Sequence, residues 1–145
     1  YIKNKELGTY SDDEKVVKVI AGKFKDIEGP EKNHNVEPIY FHIVLKNGKE
    51  FSCEVPERHN SFIYLLKGQV KVGETDHEKT NDSNLILLKQ GKSLQVKAEK
   101  DSEFLFIAGK PIGEPIARGG PFVMNTKAEI IQAINDYQNG TFAKY

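Results

Sequence analysis

The sequence predicts an all-β domain, a sandwich or barrel, finished by one C-terminal helix. Between Val16 and Ala108 the chain breaks into short runs rich in Val, Ile, Leu and Phe, punctuated by Gly, Asn and Asp. One run, "PIYFHIVLK", alternates cleanly, with Ile39, Phe41, Ile43 and Leu45 on one side of a strand. A third observation places the helix. "NTKAEIIQAINDYQNG" opens on Thr126 and carries Glu129 three residues later, the spacing at which hydroxyl and carboxylate satisfy each other's free backbone N–H groups.

Residues 1–15, "YIKNKELGTYSDDEK", are polar and poorly periodic, and read as an N-terminal arm or inter-domain linker. Residues 16–112 make the barrel. "VVKVIAGKF" ends near the turn "EGPEKN", and "PIYFHIVLK", "EFSCEV", "SFIYLL" and "QVKVG" follow. The polar loop "ETDHEKTNDS" leads to "NLILLK", "KSLQVKAE" and "EFLFIAG". "SFIYLL" is apolar on both sides: Ile63 and Leu65 point one way, Phe62, Tyr64 and Leu66 the other. One side fills the barrel, and the other needs a cover. Residues 113–145 form a tail with its helix at about 126–138, where Ile130, Ile131, Ile134 and Tyr137 repeat at helical spacing. Gly140 stands where a left-handed C-terminal residue is wanted. Phe122, Val123 and Met124 precede the helix and are expected at a domain interface. Their cover is either the second face of the barrel or another domain.

A chain of 145 residues is long enough for one sizeable core. Its 21 basic and 21 acidic residues cancel and are interleaved, so no general field draws in nucleic acid or anionic lipid. Direct nucleic-acid binding and membrane association are therefore not expected. Cys53 is the only cysteine, which excludes an internal disulfide and suits a reducing compartment. That means the cytoplasm, or the nucleus in a eukaryote. No apolar run is long enough for a helical membrane span. The opening residue is Tyr1, and the chain reads as the back part of a longer protein.

The stretch "GKEFSCEVPERHNSFIYLLKG", from Gly48 to Gly68, has the frame of the first motif of the cupin superfamily. That motif puts two histidines on alternate strand positions and a glutamate on the next strand. With a later histidine they hold a divalent metal ion inside a double-stranded β-helix, or jelly-roll barrel. Laid on these glycines, the histidine slots fall on Glu54 and Pro56 and the glutamate slot on Ser61. Proline offers a metal no donor and serine a poor one. Between Asn84 and Gly109, where the second motif should supply a histidine, there is none, only Gln95 and Lys97. The frame survives without its ligand set, so neither a metal site nor a catalytic site is expected in this chain.

The four histidines do not rebuild one. His34 and His77 lie in polar loops and His59 in a turn, all three expected to be exposed. His42, mid-strand, is expected to be packed and hydrogen-bonded. No two share a metal-ligand spacing. Cys53 is expected buried and inert, with a reactive thiolate as the alternative. Glu54 is expected to point into the barrel beside Ser61. There it is either paired with a structural partner or available as a general base. "RGGPF" lacks the Lys-Ser/Thr and the strand-to-helix setting of a phosphate loop.

Three segments together resemble the C-terminal domain of the pirin family: "VKVIAGKFKDIEGP", "NSFIYLLKG" and "IAGKPIGEPIARGGPFVMNTKAEIIQAINDYQNGTF". The resemblance runs from about Val17 to Phe142. It implies a two-domain cupin protein, in which three histidines and a glutamate of the N-terminal domain bind iron while the C-terminal domain has lost its ligands. It also implies an activity for the whole protein. Bacterial pirins resemble quercetin 2,3-dioxygenases, which are metal-dependent oxidoreductases, and animal pirin resembles an iron-dependent nuclear cofactor of transcription regulators.

Two functions are therefore expected to compete. In the first, the chain is a metal-free structural and interaction domain without a cofactor of its own. Its partner is the N-terminal cupin of the same protein, which carries the iron, or a second copy in a homodimer. In the second, it is a stand-alone small-ligand-binding or enzymatic cupin that uses Glu54 inside the barrel.

Overall fold

Residues 7–31, 35–73 and 83–143 are described by a computed structural model, and they form two units, divided between Pro111 and Ile112. The first unit is built from strands whose apolar residues recur every second position. A six-stranded antiparallel sheet contains β1 (Gly8–Ser11), β2 (Lys15–Ala21), β5 (Ile39–Leu45), β7 (Asn60–Lys67), β9 (Leu85–Leu87) and β11 (Ser102–Gly109). Across it the order is β1-β2-β5-β11-β7-β9. A three-stranded sheet has the order β6-β10-β8, from β6 (Glu50–Glu54), β8 (Val70–Val72) and β10 (Ser93–Ala98). The hairpin of β3 (Lys23–Phe24) and β4 (Ile27–Glu28) completes the unit. Neighbouring strands that are far apart in sequence give the jelly-roll arrangement.

The inner faces of the two sheets form one core. Val17, Val19, Phe41, Ile43, Leu45, Ile63, Leu65, Phe104 and Phe106 from the large sheet meet Phe51, Val70, Leu94, Val96 and Ala98 from the small one. Aromatic rings bridge the gap. Phe51 meets Phe104 edge-on with centroids 6.0 Å apart, and stacks on Phe24 at 5.5 Å. Such pairs add to the burial of their large apolar area.

The N-terminal arm needs one correction. From Gly8 onward the chain is part of the sheet, because β1 pairs with β2 in the register Gly8↔Val19 to Ser11↔Val16. The segment is polar because it is an edge strand with one side in water. The tight turn after it is held by Asp12, whose carboxylate accepts 2.8 Å hydrogen bonds from the N–H groups of Glu14 and Lys15 and from the Tyr10 hydroxyl.

The β7–β8 corner depends on a glycine. Gly68 has φ +94°, and a Cβ there would fall 2.4 Å from the Asp101 carbonyl oxygen. The buried Ser102 hydroxyl secures the same corner, donating to the Lys100 carbonyl at 2.7 Å and accepting from the Gln69 N–H at 3.1 Å.

In the second unit, β12 (Ala117–Gly119) and β13 (Phe122–Met124) form a hairpin, and α1 (Lys127–Gln138) follows. The capping box is present: Glu129 N–H donates to Thr126 Oγ1, and the Glu129 carboxylate accepts from the Thr126 N–H at 2.7 Å. Gly140, at φ +71°, ends the helix. Its N–H donates to the Tyr137 carbonyl and that of Thr141 to the Asp136 carbonyl, a Schellman motif. The apolar stripe is narrower than its spacing predicts. Ile130 and Ala133 are buried and Ile134 half-buried, while Ile131 and Tyr137 are more than 60% exposed. Ile130 lies on Gly119, where a Cβ would fall 2.4 Å from its Cγ2, so the missing side chain lets helix and hairpin close up.

Gly68→Ala is expected to lower stability by about 2 kcal/mol or more, since positive φ and backbone collision add together. Gly48→Ala, at φ +74° with open space around it, should cost only about 1 kcal/mol. Urea denaturation of both variants checks the difference. Acid titration checks Asp12. The hydrogen bond from the Glu14 N–H, then that from the Tyr10 hydroxyl, lowers its carboxyl from 3.8 to about 2. A depressed carboxylate contributes stability that is fully present above about pH 4 and lost as pH falls through about 2. Asp12→Asn should flatten the fall in stability across that interval.

Candidate functional site

The strand phase of β6 decides what the cupin frame encloses. Phe51 is fully buried, Cys53 half-buried against the core and Val55 buried, whereas Ser52 and Glu54 are exposed. The inward positions are therefore Cys53 and Val55, one residue before the Glu54 and Pro56 given by counting from Gly48. Glu54 is not a barrel-interior group. It lies on the outer face of the small sheet, paired across strands with Ser93, and Pro56 is exposed as well. The physical reason is the period of two: once Phe51 is buried, every even-numbered neighbour faces water.

Ser61 does face inward. It follows Asn60 at the start of β7, on the same side as Ile63 and Leu65, and lines a cavity of about 380 Å³. Val55, Val72, Ile86, Leu88 and Leu94 line that cavity together with the polar residues Lys89, Gln90, Ser93 and Gln95. On β10 the inward side chains are Leu94, Val96 and Ala98, while Gln95 and Lys97 point outward. Burial pushes the Cys53 thiol up to about 12, so at neutral pH it is a protonated thiol, not a thiolate ligand. Valine, a protonated thiol and one serine hydroxyl do not fit a divalent metal. Among the described residues no three His, Cys, Asp or Glu side chains are grouped to hold one ion.

The histidines divide three ways. His42 is half-buried on the outer face of the large sheet, with Nε2 2.7 Å from the Glu103 carboxylate, a hydrogen-bonded residue as its strand position suggests. His59 corrects the expectation of exposure: it is 5% exposed. Nothing in "PERHNS" signals this, because apart from Pro56 the residues that share its pocket lie 20 to 37 positions earlier in the chain. His34 and His77 lie outside the described residues.

Of the three expected interface residues, Phe122 and Met124 are half-buried and Val123 is 62% exposed. Phe122 is engaged within its own unit, with its ring centroid 6.0 Å from that of Tyr137 and 5.1 Å from that of Phe142. Val123 is the one turned outward. No helix among the described residues is long and apolar enough to cross a membrane.

A jelly-roll barrel with the cupin glycine frame and an apolar interior defines the class: a cupin domain. Residues 40–143 match the family described as the pirin C-terminal cupin domain, and the chain belongs to that family. It is 38% identical over 142 residues to pirin of Homo sapiens, covering 95% of this chain and 48% of that protein. It is 41% identical over 104 residues to a pirin-like protein of Solanum lycopersicum, covering 70% of this chain and 36% of that protein. The fold is similar to a crystal structure of quercetin 2,3-dioxygenase from Acinetobacter baumannii, with TM-score 0.85 and 34% identity over 99% of this chain and 50% of that one. The chain thus spans half or less of the length of each of these relatives.

Cys53 is expected to react with a disulfide reagent such as DTNB at least about a hundredfold more slowly in the folded chain at pH 8 than in urea. Reaction at the rate of a free thiol would show that the thiol is neither buried nor held protonated.

Proposed function

We propose that this chain is the metal-free C-terminal cupin of a pirin-type protein, a structural and interaction domain that packs beside an iron-binding N-terminal cupin. The observation that carries the reading is the outer face of the large sheet. Register aligns Ile107, Phe62 and Leu87 in one row across β11, β7 and β9, and Leu105, Tyr64 and Leu85 in the next. Leu87 is 76% exposed and Leu85 56%, with Tyr64 and Leu66 each more than a third exposed. A sheet whose β11-β7-β9 part is apolar on both sides, ending in an edge strand of sequence Leu-Ile-Leu, is an aggregation hazard unless something covers it.

The occupant we assign to that face is the N-terminal cupin half, since the relatives are two or more times as long as the matched segment. Iron and any dioxygen chemistry then belong to that half. The name of the Acinetobacter relative supports quercetin 2,3-dioxygenase activity for the whole protein, and the human relative supports a pirin-like role. The C-terminal domain contributes a wall and a fixed geometry in either case.

Two measurements test this. After loading with ferrous, cupric or zinc ion and desalting, the chain should retain well under one equivalent of metal, and it should not cleave quercetin. One tightly held equivalent refutes the metal-free reading. Mixed with the N-terminal cupin of the same protein, the chain should form a 1:1 complex. Leu85→Asp/Leu87→Asp should weaken that complex more than about tenfold with little change in the chain's own thermal midpoint. A complex indifferent to both substitutions places the interface elsewhere.

A further inference from the structure

Residues of both sheets line the cavity of about 380 Å³ beside Ser61, a volume within the range of small-molecule sites, and the packing role makes no use of it. Its size has a cause in the sequence. The core rings of Phe24, Phe41, Phe51, Phe104 and Phe106 form one connected set of contacts, and none of them lines this cavity. Val55, Val72, Ile86, Leu88 and Leu94 stand there instead, and these shorter side chains leave the space between them open. Gly73 and Gly91 widen it further. A Cβ on Gly73 would meet nothing within 4 Å, and one on Gly91 only the Ser93 carbonyl oxygen at 3.9 Å.

The polar part of the lining comes from adjoining stretches of chain. The Leu88 N–H donates to the Ser61 carbonyl at 3.0 Å, so Lys89 and Gln90 follow directly on the residue that lies against the start of β7. Among the described residues Lys89 is the one charged side chain of the lining, and it has no ion pair there. The Ser61 hydroxyl, turned inward, likewise makes no hydrogen bond among the described residues.

These two parts together select a ligand. A wall without rings offers an aromatic compound nothing to stack on, and favours a flexible chain in proportion to the area it covers. A single cation, with hydroxyl and amide donors nearby, fits a head group that carries one negative charge and only accepts hydrogen bonds. A carboxylate meets that description, whereas an ammonium would be repelled by Lys89. We propose that this cavity binds a small aliphatic carboxylate. Its chain would lie along the valine, isoleucine and leucine side chains, and its head group would sit at Lys89, with the Ser61 hydroxyl as a second donor. The inference goes beyond the packing role and holds whether or not the outer sheet face docks a second cupin.

Hexanoate, octanoate, octylammonium and benzoate are the probes, titrated into the chain labelled at its Ile, Leu and Val methyl groups. Octanoate should bind saturably and shift the methyl resonances of Ile86, Leu88 and Leu94. Hexanoate, which covers less of the wall, should bind about tenfold more weakly. Octylammonium, of equal chain length and opposite charge, should also bind about tenfold more weakly. Lys89→Glu should reverse the order of octanoate and octylammonium. Lys46→Glu makes the same change in net charge at an exposed lysine outside the lining, and should leave the order as it was. Octylammonium binding as tightly as octanoate overturns the proposal, as does a Lys89→Glu variant that keeps the original order. Reversal by Lys46→Glu as well traces the preference to net charge and overturns the site. Shifts confined to Leu66, Leu85 and Leu105 place the acid on the outer sheet face and overturn it too. Benzoate binding more tightly than octanoate overturns the aliphatic class.

Discussion

Phe51 sits where the two sheets meet, and its burial is the constraint on which the rest of the first unit depends. Its ring stacks on Phe24 from the β3–β4 hairpin and meets Phe104 of the large sheet edge-on. Removing such a ring from a packed core typically costs about 3–5 kcal/mol. Because β6 has a period of two, the same burial fixes the facing of its neighbours. Cys53 and Val55 turn inward, Ser52 and Glu54 outward. The contact that closes the barrel also decides which chemistry its interior holds.

That interior is apolar, aliphatic and aromatic together, and the polar work is done at the edges. Asp12 organises one turn through three accepted hydrogen bonds, and Ser102 another. His42 and Glu103 pair on the outer face of the large sheet, beside rows of apolar side chains. A barrel with an apolar core that also carries apolar side chains on its outer face is suited to being packed against. The proposed role beside a second cupin rests on that distribution of surface.

Much of the candidate site was legible in the sequence, and its errors are instructive. Counting from the glycine frame falls one residue out of phase with the inward side of β6. Gly48 lies in a turn, and turn length is not tied to strand phase. The alternation Phe51, Cys53, Val55 was present in the sequence and would have given the right phase. Ser61 was placed inside by both routes. Glu54 was not, and with it went the geometry for an acid or base within the barrel. The burial of His59 was not legible, since the pocket it lines is shared with Gly22, Gly29, Glu37 and Pro38, remote in the chain.

What the sequence by itself determined is everything governed by local periodicity and capping. The inward faces of β5 and β7, the start of α1 at Thr126 and its end at Gly140 follow from alternation, a capping box and a left-handed glycine. The tertiary structure alone decided which side of β6 is inside and that residues 8–11 join a sheet. It also decided that Ile131 and Tyr137 stay in water while Ile130 settles onto Gly119, and that a turn histidine is buried with no hydrogen-bond partner for its Nδ1 among the described residues. The physical reason is range. Periodicity and caps involve groups a few residues apart, whereas burial is set by segments that meet only after the chain has folded.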